Sequence, residues 1–92
     1  MVATLSDGGF VVVWEQSQAA GDDIYAQVFN ASGTSVGSSF VVNTVTNGYQ
    51  TLPSVAALAN GDFVVAWQTP NAGSYDIAYS AFDGNGVNLT GG

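Results

Sequence analysis

One stretch of this chain occurs twice, and that doubling restricts its fold more than any other feature. Val2-Ala3-Thr4-Leu5-Ser6-Asp7-Gly8-Gly9-Phe10-Val11-Val12-Val13-Trp14 returns 53 residues on as Val55-Ala56-Ala57-Leu58-Ala59-Asn60-Gly61-Asp62-Phe63-Val64-Val65-Ala66-Trp67. Extended without a gap, residues 2–39 and 55–92 agree at thirteen of thirty-eight positions. Self-similarity at such a period marks a repeat architecture, a propeller or a solenoid.

Each copy reads as a strand, a Gly-containing turn and a second strand. The first strand covers residues 2–5 and 54–58. Asp7-Gly8 and Asn60-Gly61 then supply the positive φ that a hairpin turn needs. Residues 10–14 and 63–67 are unbroken apolar runs of β-branched and aromatic type, which predicts a strand buried on both faces. Phe10, Val12 and Trp14 point one way from it, and Val11 and Val13 the other. The polar stretches 15–22 and 68–75 read as surface loops, too long for a tight hairpin. Residues 23–29 and 76–82 form the third strand. There the tyrosine moves from Tyr25 to Tyr79 while Ala78 takes the Tyr25 place, a change that fits packing compensation. Turns at Asn30-Ala31-Ser32-Gly33 and Asp83-Gly84-Asn85-Gly86 follow. Residues 40–45 give a fourth strand. Residues 46–53, with Asn47-Gly48 and Pro53, give the link to the next copy.

Four strands within a 53-residue period match the unit of a β-propeller blade. The expected fold is all-β and β-propeller-like, with two four-stranded antiparallel blades. Repeat 1 spans residues 1–53. Repeat 2 spans residues 54–92 and lacks its last strand, and the two form one unit. A β-sandwich is the alternative; it would bury one face of each strand and show cleaner alternation. A whole blade and a partial one cannot close a ring, so the expected partners are other repeats or copies of the chain itself.

Charge excludes several function classes. The chain has seven Asp and Glu and no Lys, Arg or His. Neutralising phosphate requires cations, so no nucleic acid is expected as a partner. Attraction to an anionic membrane fails for the same reason, and no apolar run is long enough for a spanning helix. Cys is absent, which removes disulfides, thiolate nucleophiles and Cys-bound zinc. No Ser-His-Asp triad can form. Paired carboxylates remain as an acid–base device. Glu15 with Asp22 or Asp23 is such a pair, but the second copy has Gln68 and Tyr75 at the first two of these places. The chain therefore reads as a non-enzyme. No signal-peptide pattern occurs at its N-terminus.

A family resemblance rests on Pro53, Ser54, Val55, Ala56, Leu58, Gly61, Phe63, Val64, Val65 and Trp67, then Asp76, Ile77, Phe82, Asp83 and Gly86, with Phe40, Val42, Asn43, Thr44 and Gln50. This pattern resembles the tandem repeats of roughly fifty residues in very large secreted or surface-attached bacterial proteins. Those repeats often accompany hemolysin-type (RTX-like) calcium-binding repeats and adhesin modules. The resemblance implies a propeller-like fold, an extracellular or cell-surface location and a structural or adhesive role. The family often has a Gly/Asp-rich loop between the second and third strands and an Arg in the third. This chain has few Asp in that loop, and Gln27 or Ser80 in place of the Arg.

Three sets of candidate site residues remain. Asp83 and Asn85 place oxygen donors at alternate positions before Gly86, as at the start of a Ca²⁺ loop, though without a distal bidentate Glu. An Asx-type turn is the competing reading, favoured by the poorer ligand set of Asn30-Ala31-Ser32-Gly33. Asp22 and Asp23 form a second calcium candidate. Asp23 recurs as Asp76, and both are also read as carboxylates capping backbone N–H groups. Tyr75 and Tyr49, read as loop residues, are candidate glycan contacts; Trp14 and Trp67 read as core. A carbohydrate-binding lectin, closed into a propeller by oligomerisation, is the alternative function.

Overall fold

A computed structural model describes residues 1–18, 21–43, 49–71 and 74–89. The chain is all-β, with β1 (Val2–Thr4), β2 (Phe10–Gln18), β3 (Gly21–Phe29), β4 (Ser35–Val41), β5 (Thr51–Ala57), β6 (Phe63–Asn71) and β7 (Ser74–Phe82). Sheet 1 has the order β1-β2-β3-β4 and sheet 2 the order β5-β6-β7. All pairings are antiparallel between neighbours in sequence. Residues 44–48, which hold Thr44, Asn47-Gly48 and the end of the predicted fourth strand, lie outside the described residues.

The turns repeat as faithfully as the strands. Gly8 donates its N–H to the Leu5 carbonyl at 3.1 Å, and Gly61 to that of Leu58 at 3.4 Å. Gly33 and Gly86 close the later turns in the same way, onto Asn30 and Asp83, each at 2.9 Å. All four glycines have φ between 83° and 90°, where a Cβ meets its own backbone. Gly33 has open space around it, whereas a Cβ on Gly86 would lie 2.9 Å from the Phe40 ring. Gly33→Ala is therefore expected to cost about 1 kcal/mol, and Gly86→Ala about 1–3 kcal/mol, read from urea unfolding. Equal losses would mean that the turn does not press on Phe40.

Strand lengths correct the sequence reading. The expected loops 15–22 and 68–75 are mostly strand. β2 pairs with β3 from Phe10↔Phe29 out to Gln18↔Gly21, and β6 with β7 out to Asn71↔Ser74. Their outer strands stop earlier, at Val41↔Tyr25 in sheet 1 and Thr51↔Gln68 in sheet 2. The middle strands thus continue as two-stranded ribbons. On β2 the extension carries Glu15, Gln16 and Ser17, polar and exposed, and so imitates a loop in sequence, whereas Asp23 and Ile24 opposite them on β3 are buried. Pro70 lies in such a ribbon, where β6 has β7 on one side only, and a strand edge tolerates a residue without an N–H. β4 begins at Ser35, earlier than predicted, because Val36 and Phe40 anchor the Ser- and Gly-rich stretch to β3 across a register shift. Gln27 donates its side-chain amide to the Val28 carbonyl at 2.9 Å beside that shift.

One apolar cluster joins the sheets. Sheet 1 contributes Val11, Val13, Ile24, Ala26 and Val28, with Ala3, Val36 and Phe40 at its margin. Sheet 2 contributes Phe63, Val65, Trp67 and Phe82, with Val55 and Ala78. Phe40 and Phe82 meet across the joint with ring centroids 5.3 Å apart. The two copies do not bury the same face. In sheet 1 the inward residues of the middle strand are Val11 and Val13; in sheet 2 they are Phe63, Val65 and Trp67, the counterparts of Phe10, Val12 and Trp14. Ile24 is 0% exposed, while its counterpart Ile77 is 71% exposed. The sheets therefore stack like to unlike, the front of one on the back of the next. Each middle strand is covered fully on one face and half on the other, not on both as predicted.

Candidate functional site

The sequence-derived candidates fall at three places. At the turn after β7, the Asp83 Oδ1 accepts the N–H of Asn85 at 2.9 Å and of Val87 at 3.0 Å. After β3, the Asn30 Oδ1 accepts from Ser32 at 2.9 Å and Thr34 at 3.1 Å. Charged Asp83 and neutral Asn30 thus do the same work, which is to satisfy two backbone donors of an Asx turn. Asp83→Asn is expected to shift unfolding by less than about 0.5 kcal/mol, and Asp83→Ala to cost about 1 kcal/mol. Calcium is expected to leave the melting temperature of both wild type and Asp83→Asn in place. A calcium-dependent rise in wild type that Asp83→Asn removes would assign a cation to this turn instead.

The second place is the ribbon end of β3. Asp22 and Asp23 are neighbours in a strand, so their side chains leave on opposite faces and do not converge. Asp23 is 7% exposed. It accepts a hydrogen bond from the Asn43 Nδ2 at 3.0 Å, while the Asn43 Oδ1 accepts the Ile24 N–H at 2.7 Å. The connection after β4 is thereby tied to the free edge of β3. Val42 donates to the Ile24 carbonyl at 2.7 Å and Gln50 to that of Asp22 at 2.9 Å. Asp23 thus binds a side-chain amide where a backbone cap was expected, and its counterpart Asp76 is exposed. Glu15 pairs with Ile24, so it shares a face with Asp22 and not with Asp23. Among the described residues, no three His, Cys, Asp or Glu side chains gather closely enough to hold a metal ion.

The third place is the aromatic surface. Tyr75 belongs to β7, not to a loop, and is 58% exposed; Tyr49 precedes β5 and is 59% exposed. They sit at different places, Tyr49 before β5 and Tyr75 within β7. Both tryptophans read as core in the sequence. Trp67 is, at 3% exposure. Trp14 is half-buried on the outward face of sheet 1, with its ring 6.1 Å from that of Tyr25. Its Nε1 donates to the Gln16 Oε1 at 3.2 Å. Phe10 and Phe29 stack at 4.8 Å further along the same face. The moved tyrosine now has a cause. Tyr25 and Tyr79 both stand on outward faces, and Ala26 and Ala78 hold the inward places. Comparison with protein-family models, with curated proteins and with solved structures gives no match.

Proposed function

We propose that the chain is a non-catalytic structural or adhesive repeat module of an extracellular bacterial protein, its two sheets serving as successive blades of a propeller-like stack. The like-to-unlike burial of the two copies carries this reading. Successive blades present opposite faces of one repeated sheet to each other, whereas a two-fold sandwich of duplicated sheets would bury equivalent faces. The absence of Lys, Arg, His and Cys leaves the side chains few means of catalysis and suits a scaffold. A carbohydrate-binding lectin is the second reading, favoured by the stacked Trp14–Tyr25 pair with its neighbouring amides. A glycan array run beside a polysaccharide-hydrolysis assay separates the two. Neither saccharide binding nor hydrolysis is expected. Saccharide binding lost in Trp14→Ala, Tyr49→Ala or Tyr75→Ala would replace the scaffold by a lectin, and hydrolysis lost in Glu15→Gln would replace both.

A further inference from the structure

The two outward faces are each other's complement. The outward face of sheet 2 carries Ala56, Val64, Ala66, Ile77, Tyr79 and Ala81. These are the repeat counterparts of Ala3, Val11, Val13, Ile24, Ala26 and Val28, which form the inward face of sheet 1. The outward face of sheet 1 carries Val2, Phe10, Val12, Trp14, Tyr25 and Phe29. Five of these correspond to Val55, Phe63, Val65, Trp67 and Phe82 of the inward face of sheet 2, and Tyr25 corresponds to Ala78. The molecule thus contains one joint and, at its two ends, the unjoined halves of a second joint of the same kind.

We infer that a second copy of this chain docks head-to-tail, its outward sheet 2 face on the outward sheet 1 face of the first. This rests on the blade-stack reading and adds the occupant of the free faces. Charge agrees. The chain carries seven acids and no basic side chain, yet no strand residue on the outward face of sheet 2 is an acid. Asp23 is the one acid on the outward face of sheet 1, buried and bonded to Asn43. Copies of a strongly acidic chain repel one another except where such faces meet. Exposure agrees as well. Ile77 is 71% and Tyr79 64% exposed on one face, and Val2 61% and Val41 43% on the other. Apolar side chains gathered on one face in this way mark an interaction surface. Bulk differs at one point, since Tyr25 and Tyr79 stand where the internal joint has Ala78 and Ala26. Ala66 and Ala81, smaller than their counterparts Val13 and Val28, leave room around them. An interface between unlike faces does not use itself up, so it builds a ring if the rotation closes and a filament if it does not.

Ile77→Asp and Val41→Asp each place a carboxylate on one outward face at an exposed position, and far-UV dichroism checks that each variant stays folded. In sedimentation, wild type is expected to exceed the mass of one chain and to grow with concentration. Each variant alone is expected to be monomeric, because every joint needs both faces. Mixed, the two are expected to form a one-to-one dimer and nothing larger, since one live face of each kind remains. Self-dimerisation of either variant would mean that like faces meet, and would overturn the inference. So would a mixture that stays monomeric, or a wild type that is monomeric at every soluble concentration. None of these outcomes touches the blade-stack reading itself, which the Phe63 and Phe10 comparison below tests within one chain.

Discussion

Phe63→Ala is expected to lower the free energy of unfolding by about 3–5 kcal/mol, while Phe10→Ala, at the matching place of the first copy, lowers it by about 1–2 kcal/mol. Phe63 is 0% exposed and stacks on Phe82 at 5.4 Å inside the joint. Its truncation leaves a cavity between two sheets that both have to shift to fill it. Phe10 is half-buried and stacks on Phe29 at the surface of sheet 1, so solvent fills the space it leaves. A domain of this size has only about 5–15 kcal/mol in hand, so Phe63→Ala brings the chain close to unfolding at ambient temperature. Urea denaturation of the two variants measures the difference. In solutions where the chain associates, dilution to the monomer comes first, because association adds stability by mass action. Equal losses would mean that the copies bury the same face, and the blade-stack reading would fall with that result.

Asn43→Ala is expected to cost about 2–4 kcal/mol. Asn43 is 2% exposed and serves two buried partners at once, the Ile24 N–H and the Asp23 carboxylate. Removing its amide leaves both without that bond where water does not reach. Asn43→Asp is no rescue. It keeps an acceptor for Ile24 but sets a second carboxylate against Asp23, in a chain with no basic side chain to offset it. The check is equilibrium unfolding of both variants beside Asp76→Ala, which alters the exposed counterpart of Asp23 and is expected to stay within about 0.5 kcal/mol of wild type. A loss as small for Asn43→Ala would show that the connection after β4 is not pinned to β3 by this side chain.

The turns and the middle strands were legible because their causes are local. A Gly at positive φ, an Asx side chain one or three residues before it and a run of Val, Phe and Trp act within a few residues of one another. The ribbons were not legible. Residues 15–18 and 68–71 pair with strands a few residues further on, and their polar sequence carries no apolar alternation. β4 was half legible, since Phe40 signals a strand while Gly37-Ser38-Ser39 does not, and only the edge of β3 holds those residues extended. Among the site candidates, Asp83 and Asn85 were recognisable as turn residues from the comparison with Asn30. The tie between Asn43 and Asp23 spans twenty residues of sequence and left no local sign.

The sequence alone determined that the chain is all-β, that one strand–turn–strand unit is used twice, and that the middle strand of each unit is apolar on both sides. Those properties follow from side-chain period and turn chemistry, which each copy carries within itself. Only the tertiary structure decided which side is covered. Ile24 and Ile77 are the same residue in the same local sequence, yet one is 0% and the other 71% exposed. A strand offers two faces to its surroundings, and the choice between them belongs to the neighbour that arrives. The first sheet received the second on its Val11–Ile24 face, and the second received the first on its Phe63–Trp67 face. The remaining face of each is the one the doubled stretch had equally prepared for burial.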